Sequence, residues 1–382
     1  MRTALIDNVI SSFKGIFHGS PEYMVRTPGR VNLIGEHTDY NMGFVLPMAI
    51  NRNVWIAFRK REDQTIRIHS LDFNETIRFS SNNPEKHANQ WSDYILGTVW
   101  ALKQEGLLSS GWEGVISGDI PIGAGLSSSA ATEIAIAFAC TVASDRDWDP
   151  ILMARIGQNT ERGWLGVQSG IMDQMVVANA RKGHALLLDC LSLEMEQIPM
   201  EADLSVAVMD TTSRRGLVNS PYTIRVEECH HAAELLGLSS LRDLDEKGLE
   251  ENRNSLDEVL FRRCRHVVTE NKRVHQAVAA LKANQVFKLG RLLTESHASL
   301  RDDYQVSGKT QDQIVEIANR TPGCLGARMT GAGFGGCAVA LVMKSTEDEF
   351  ASTVSRQFNQ VTGLNPEIFF SAPGAGASRE LV

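Results

Sequence analysis

The spacing of apolar and polar residues along the chain predicts a mixture of strands and helices. Half-buried strands alternate apolar with polar residues, whereas fully buried strands are short apolar runs. By these criteria strands are predicted at 54–58, 65–69, 75–79, 114–119, 185–189, 204–210 and 337–342. Helices are predicted at 89–102 with Ser92 as N-cap, at 132–142, from residue 150 onwards, and at 222–236, 257–283 and 284–300. The pattern as a whole predicts an α+β fold class, with helices packed on sheets.

Length and composition predict a two-domain globular protein. The chain has 382 residues, of which 43% are hydrophobic. A chain of this size can bury a substantial core, and its length favours two domains over one. Because the pattern becomes mostly helical in the second half, we place the boundary near residue 205. The predicted domains are therefore 1–205 and 206–382.

The charge of the chain argues against nucleic acid as a binding partner. The formal net charge is −8, and no basic run offers the footprint that nucleic-acid binding needs. The densest basic cluster, 262–266, is flanked by Glu258 and Glu270, and we interpret it as one face of a solvated helix. No apolar run approaches the length of a membrane span, and residues 1–17 show no apolar signal-peptide core. We expect a soluble, cytoplasmic protein with no nucleic-acid or membrane partner.

The cysteines indicate a reducing compartment. The six of them are scattered through apolar or helical contexts without a C-x-x-C pair, so neither a zinc site nor a disulfide framework is indicated. We expect buried free thiols.

The stretch 118–131 combines glycines, a proline and three serines directly before an apolar helical run. Gly123 and Gly125 permit positive φ and close approach to a ligand, and residues 127–129 offer hydroxyls at a helix start, where anions bind. The loop has no Lys and does not match the G-x-x-x-x-G-K-[ST] pattern. On its own it is either a phosphate-binding helix start or an ordinary Gly/Ser turn.

The segment 27–41 places charges in a core-like pattern. Arg30, Glu36, His37 and Asp39 follow one another among buried-type apolar residues. Three explanations remain open: a buried Arg–carboxylate pair that closes a turn, a metal site, or a polyol site whose carboxylates accept hydrogen bonds from several hydroxyls.

Two other features allow alternative interpretations. Asp173 lies among apolar residues and is either a helix N-cap or a functional carboxylate. Trp91 and Tyr94 are either core residues or the wall of an adenine pocket. A second glycine-rich loop, 329–336, could approach the ligand of the first loop from the other domain.

Three of these stretches, 28–41, 121–131 and 329–336, together resemble the motifs of the GHMP small-molecule kinases. The first stretch is specific enough to resemble the galactokinase branch of that family. Similarity continues through 170–174, 265–271 and 296–304, so that it runs through almost the whole chain. The resemblance implies an N-terminal domain like the second domain of ribosomal protein S5 and a ferredoxin-like C-terminal domain, with the active site between them.

The resemblance also implies an activity, the ATP-dependent phosphorylation of galactose at C1, and roles for individual residues. The implied catalytic pair is Asp173, which takes the proton of the anomeric hydroxyl, and Arg30, which holds Asp173 ionised and stabilises the phosphoryl group. The residues implied to orient galactose are Glu36, His37, Thr38, Asp39, Gly170 and Tyr222. Those implied to lie at ATP are Ser70, Trp91, Gly123, Ala124, Gly125, Leu126, Ser127, Ser128 and Ser129. Mg²⁺ would be held by Ser129 and Glu161.

The sequence departs from the family pattern at two places. The family's Tyr-Asn-x-Arg-Arg is here Tyr222-Thr-Ile-Arg-Val226, and Ser169 replaces a usual Cys. The first change lies near the implied sugar site, so a related sugar such as arabinose or N-acetylgalactosamine remains an alternative substrate. A non-catalytic regulator that binds galactose and ATP is a further alternative, but such proteins lack part of the segment that is intact here at 127–131. A monomer is expected.

Overall fold

The computed structural model describes residues 4–86, 91–213 and 221–382, and these fold into layers of helices and sheets. The helices are α1 (Ala4–Phe17), α2 (Ser92–Gln104), α3 (Ser128–Ala143), α4 (Pro150–Asn159), α5 (Met172–Asn179), α6 (Pro221–Leu235), α7 (Glu246–Glu251), α8 (Glu258–Lys282), α9 (Val286–Ser299), α10 (Lys309–Arg320) and α11 (Glu347–Thr362). The strands are β1 (Tyr23–Asn32), β2 (Phe44–Val45), β3 (Pro47–Lys60), β4 (Thr65–Ser70), β5 (Glu75–Ser80), β6 (Trp112–Gly118), β7 (His184–Asp189), β8 (Met195–Pro199), β9 (Leu204–Asp210), β10 (Cys324–Met329), β11 (Cys337–Met343), β12 (Glu367–Ser371) and β13 (Ser378–Glu380). The predicted α+β class is confirmed.

The largest sheet in the described part of the chain has the strand order β13-β1-β3-β6-β4-β5. Its pairings are antiparallel except for β4 with β6. Helix α3 packs on β1 and β3, while α1 lies against β3 and β6. The register of β1 against β3 shifts between Pro28 and Arg30. Such a bulge redirects the side chains that follow it, and here it precedes a residue of the site.

A second, antiparallel sheet has the order β10-β11-β9-β12, with α9 and α10 packed against β10. The predicted boundary between residues 205 and 206 falls inside β9, whose partners β11 and β12 come from the end of the chain. The last strand, β13, returns to pair with β1. The division into 1–205 and 206–382 stays a prediction, as do the likenesses to ribosomal protein S5 and to ferredoxin.

The basic cluster 262–266 differs from its prediction. Arg263 and His266 are buried rather than solvated, so that interpretation is wrong for these two residues. Arg263 donates from Nε to Glu228 Oε2 at 2.8 Å and from Nη2 to Gln305 Oε1 at 3.0 Å. The flanking acids suggested a solvated face, but α6 and the π-helical turn Leu300–Tyr304 pack against α8 on that side.

Local helix signals were only partly informative. Helix α2 begins at Ser92, with Trp91 at the N-cap position and residues 87–90 outside the described part. Helix α4 starts after Asp149, whose side chain accepts from two backbone N–H groups. It runs directly into the π-helical turn Thr160–Leu165, which contains Glu161.

All six cysteines are free and five are buried, as predicted.

None of the described helices combines the length and the apolar character that crossing a membrane requires. The predicted cytoplasmic location stays a prediction. The segment 211–220, which the sequence suggests as a crossover between the two domains, lies mostly outside the described residues.

Helix α9 and strand β10 approach so closely that only glycine fits at their crossing. A Cβ at Gly290 would lie 2.0 Å from the carbonyl oxygen of Leu325, and one at Gly326 would lie 1.9 Å from that of Gly290. The second sheet therefore depends on these two glycines to carry α9.

We expect Gly290→Ala to lower the free energy of unfolding by about 3 kcal/mol, because backbone must move to admit the methyl group. Urea unfolding monitored by circular dichroism measures this change. Gly15→Ala is the matched control, since Gly15 is exposed in α1 and its Cβ would meet nothing within 4 Å. It should stabilise slightly; equal destabilisation by both substitutions would contradict the steric argument.

Candidate active site

The centre of the site is an ion pair between the buried Arg30 on β1 and the half-buried Asp173 in the first turn of α5. Arg30 Nε donates to Asp173 Oδ1 at 2.7 Å and Nη2 donates to Oδ2 at 2.5 Å, a bidentate arrangement. The third nitrogen, Nη1, donates to the carbonyl oxygen of Gly125 at 2.7 Å. Arg30 therefore joins β1, α5 and the first glycine-rich loop.

The surroundings of Arg30 favour its charged form. Burial acts against the charged form of Arg30, but attraction to Asp173 outweighs it and the pKa of Arg30 is raised. The hydroxyl of Ser127 also donates to Asp173 Oδ2. Ser127 occupies the N-cap position of α3 with φ +59° and makes no capping bond with its side chain. Of the two explanations left open for Asp173, a functional carboxylate fits better than a helix cap.

The two glycine-rich loops lie against each other, as predicted for a shared ligand. A Cβ at Gly331 would be 3.0 Å from the carbonyl oxygen of Gly125, and a Cβ at Gly336 would be 2.9 Å from that of Ala124. Leu126 is buried and its carbonyl oxygen accepts from Arg30 N at 3.1 Å. Backbone from both halves of the chain thus forms one surface beside the ion pair.

In the first loop, Gly123 is exposed with φ +70° and Gly125 has φ +80°. Ser128 and Ser129 are half-buried in the first turn of α3. Their positions leave the helix start accessible, as anion binding requires.

Glu36 is held by protein groups on both carboxylate oxygens. Oε1 accepts from Thr330 Oγ1 and from Gly331 N, each at 2.8 Å, and lies 3.3 Å from the guanidinium of Arg328. Oε2 accepts from Asn32 Nδ2 at 3.1 Å. This is the buried Arg–carboxylate pair that was one of three explanations for the segment 27–41. It joins that segment to the second glycine-rich loop.

The sequence analysis did not single out Asn32 or Arg328. Arg328 is fully buried and donates from Nη1 to the carbonyl oxygens of Asn32 and Leu33. In the sequence, Arg328 could have been recognised as a charged residue at the end of an apolar strand, directly before the second glycine-rich loop.

His37 lies in an aromatic cluster and not in a metal site. Its Nδ1 is 2.9 Å from Tyr40 Oη, which in turn is 2.7 Å from Tyr304 Oη. The ring of Tyr222 lies 5.8 Å from that of His37. Burial lowers the pKa of His37 to about 3, so the ring is neutral at neutral pH. Among the described residues no group of three or more His, Cys, Asp and Glu is arranged to hold a metal ion.

Asp39 and Gly170 are in direct contact. A Cβ at Gly170 would lie 1.8 Å from Asp39 Oδ2, so only glycine fits there. Burial, followed by repulsion from Asp173, raises the pKa of Asp39 to about 7. Asp39 also lines a cavity of about 370 Å³ whose wall includes Arg155 and Arg162.

Three other predicted residues lie apart from the ion pair. Thr38 is buried and its hydroxyl donates to the carbonyl oxygens of Gly35 and Phe44, at 2.8 and 2.7 Å, which closes the turn. Trp91 stacks on Phe73 with ring centroids 5.3 Å apart, and Ser70 Oγ accepts from Phe73 N at 3.3 Å. Ser70 and Trp91 therefore meet around Phe73, at the turn between β4 and β5.

Glu161 lies close enough to the ion pair to be influenced by it. Burial raises the pKa of Glu161, and repulsion from Asp173 adds to this effect, while Arg30 opposes it. A buried carboxylate with raised pKa in a cleft is typical of a functional group.

Comparison with known proteins identifies the family. The galactokinase galactose-binding signature matches residues 11–60, and the N-terminal and C-terminal domains of the GHMP kinases match residues 93–180 and 277–360. The chain is 42% identical to the galactokinase of Roseiflexus sp. (strain RS-1) over 364 residues, covering 94% of this chain and 93% of that protein. The chain belongs to the galactokinase family.

Solved structures agree with this assignment. A Lactococcus lactis galactokinase complexed with galactose superposes with a TM-score of 0.94 at 35% identity, covering 98% of this chain and all of that one. Methanococcus jannaschii mevalonate kinase shares the fold, with a TM-score of 0.67, 22% identity and coverage of 94% of this chain and 99% of that one. The predicted family and kinase class are confirmed, and membership of a kinase family makes ATP a substrate.

Two of the residues that depart from the galactokinase pattern, Thr223 and Val226, lie in different environments. Thr223 is exposed, and Val226 is buried in an apolar cluster with Cys229. Arg225, which the family pattern shares, donates to the carbonyl oxygens of Tyr304 and Gln305. Thr223 is therefore in contact with solvent and Val226 adds to the apolar cluster, so neither of these two residues places a charge in the core.

Asp39 should make stability depend on pH. Between the ordinary pKa of 3.8 and the raised value of about 7, the folded protein holds a proton on Asp39 that the unfolded chain releases. Stability therefore falls as pH rises through this window, and the destabilisation is complete above it.

We expect Asp39→Asn to raise the free energy of unfolding by about 1–2 kcal/mol at about pH 8, because it removes the buried charge. At about pH 3 the gain should be nearly lost, since Asp39 then carries its proton in most molecules of both states. Denaturant unfolding at the two pH values measures the difference. A gain that is equal at both would show that the carboxylate charge is not its cause.

Proposed function

We propose that the chain catalyses the ATP-dependent phosphorylation of galactose at the anomeric C1 hydroxyl, giving galactose 1-phosphate by direct in-line transfer. The observation that carries the proposal is the bidentate Arg30–Asp173 pair beside the two joined glycine-rich loops. The L. lactis relative bound to galactose supports the choice of sugar.

In this proposal Asp173 and Arg30 divide the catalytic work. Asp173 accepts a hydrogen bond from the C1 hydroxyl and orients it for attack. Its oxygens also accept hydrogen bonds from Arg30 and Ser127, and the proton of the C1 hydroxyl moves late in a loose transition state. Arg30 offers positive charge where negative charge develops on the transferring phosphoryl group.

The remaining sugar contacts are assigned to Glu36, His37, Asp39, Gly170 and Tyr222. Asp39, an ionised acceptor at higher pH, suits two neighbouring hydroxyls, and the glycine at 170 leaves room beside it. Neutral His37 can donate or accept one hydrogen bond. Glu36 Oε2 has one protein partner, Asn32, and can accept a further hydrogen bond from the sugar, whereas Thr38 closes the turn and supports the site through its shape.

The ATP phosphates are assigned to the start of α3, residues 123–129, where backbone N–H groups and serine hydroxyls replace the missing Lys. Ser70 and Trp91 would lie near the nucleotide base. The aromatic pair of Trp91 and Phe73 at the β4–β5 turn offers an apolar surface for a planar ring.

The metal assignment is Mg²⁺, held by Ser129 and Glu161. A hydroxyl and a carboxylate are hard oxygen donors, and the ion retains waters and binds phosphate oxygens besides, so two protein ligands suffice. The excess of acidic groups around Glu161 fits a site for a cation, since Asp173 raises its pKa further. When bound, the ion neutralises charge on the β- and γ-phosphates.

We expect the purified protein to release ADP from Mg-ATP most rapidly with galactose. A coupled assay with galactose, talose, arabinose and N-acetylgalactosamine measures this preference. Faster turnover with another sugar would make that sugar, and not galactose, the proposed substrate. Binding of galactose and ATP without turnover on any sugar would instead support the non-catalytic regulator.

We expect Asp173→Asn to lower kcat by at least about 100-fold while galactose binding remains measurable by calorimetry, because the amide cannot take the proton. Asp302→Asn is the control, since Asp302 is exposed and paired only with the neighbouring Arg301 in the described contacts. Turnover of Asp173→Asn near that of the control would remove Asp173 from the mechanism.

A further inference from the structure

A second buried carboxylate lies behind the proposed metal ligands. Glu133 is on α3, four residues after Ser129, and its side chain is completely buried. Its Oε2 accepts a hydrogen bond from Gln174 Nε2 at 3.0 Å, whereas Oε1 has no hydrogen-bond partner among the described residues. Gln174 is also fully buried, and its Oε1 is likewise unpaired there.

The pair lies in the middle of the proposed machinery. Gln174 directly follows Asp173 on α5. Its partner Glu133 lies four residues after Ser129 on α3, and Gly157, which packs against both side chains, lies four residues before Glu161. The space is tight, because a Cβ at Gly157 would lie 2.7 Å from Gln174 Cγ and 3.1 Å from Glu133 Oε2. The amide therefore has little freedom to turn away from Glu133.

Stability does not account for these two residues. A buried carboxylate with one unpaired oxygen is unfavourable. Replacing both partners of such a buried polar contact by well-packed apolar side chains is often neutral or stabilising. A group that destabilises the fold yet sits beside a proposed cation ligand calls for a functional explanation.

We propose that Glu133 and Gln174 are positioning residues for the divalent cation. Glu133 accepts one N–H of the Gln174 amide and so fixes its orientation, and the other N–H is directed to Glu161, which it holds ready to bind the metal. Hydrogen-bonding partners behind a metal ligand commonly change metal affinity by about 10-fold or more when removed. The inference rests on the proposed function, because it assumes a cation at Glu161.

Two substitutions remove the hydrogen bond from opposite sides at nearly constant volume. Glu133→Met removes the acceptor and Gln174→Met removes the donor. Glu133→Gln keeps an acceptor oxygen in place and is the conservative rescue variant. Glu113→Gln is the matched control, since Glu113 is a buried carboxylate on β6 that pairs with Arg59 and Arg61.

The measurement is the affinity for Mn²⁺, followed by electron paramagnetic resonance with the protein saturated by the ATP analogue AMPPNP. We expect both Met variants to bind Mn²⁺ about 10-fold more weakly. Glu133→Gln and Glu113→Gln should remain close to the native affinity. Without ligands, the double variant Glu133→Met, Gln174→Met should unfold at the native temperature or above it, because it leaves neither partner of the hydrogen bond unpaired. A merely structural role would not produce this result.

Several outcomes would overturn the proposal: Mn²⁺ affinity within twofold of native in the Met variants, an equal loss in Glu133→Gln, or failure of both Met variants to fold. The last would assign the pair to the stability of the core. The proposed function is tested separately, because native protein that binds Mn²⁺ and AMPPNP but phosphorylates no sugar would refute the kinase activity and leave the metal comparison valid.

Discussion

The ion pair of the buried Arg30 and the half-buried Asp173 is the contact on which the rest of the site depends. Arg30 takes its position from a strand with a shifted register, and Asp173 from the first turn of a helix far along the chain. The guanidinium also donates to the carbonyl oxygen of Gly125, so the first glycine-rich loop is fixed by the same side chain. Breaking such a pair leaves one buried charge uncompensated, which explains why strand, helix and loop must assemble together.

A second feature is a group of carboxyl groups for which the surrounding protein disfavours the charged form. Asp39, Glu133 and Glu161 all feel repulsion from Asp173, and burial raises the pKa of each. Arg30 alone does not neutralise this group. The protein thus retains carboxylates that oppose folding, in the region where we propose that sugar and cation bind. These carboxylates make the fold less stable than an apolar core would. We explain their presence by the binding of sugar and cation that we propose.

The N-terminal and C-terminal halves of the chain contact each other at the same site. Glu36 receives hydrogen bonds from Thr330 and Gly331 and pairs with Arg328, while Gly331 and Gly336 approach the first loop. The last strand returns to the first sheet beside β1. A cleft built in this way has walls from distant parts of the sequence, and its shape is set by contacts between backbone atoms that only glycine allows.

The sequence by itself determined the fold class, most strands and helices, and the family, because periodicity and three spaced motifs are local properties of the chain. It also singled out Arg30 and Asp173. It did not determine the partners of Glu36, the burial of Arg263, or the pairing of Glu133 with Gln174. Each of these depends on which elements pack against one another. Burial and long-range contacts decide whether a charged residue is solvated, structural or functional, and only the tertiary structure supplies them.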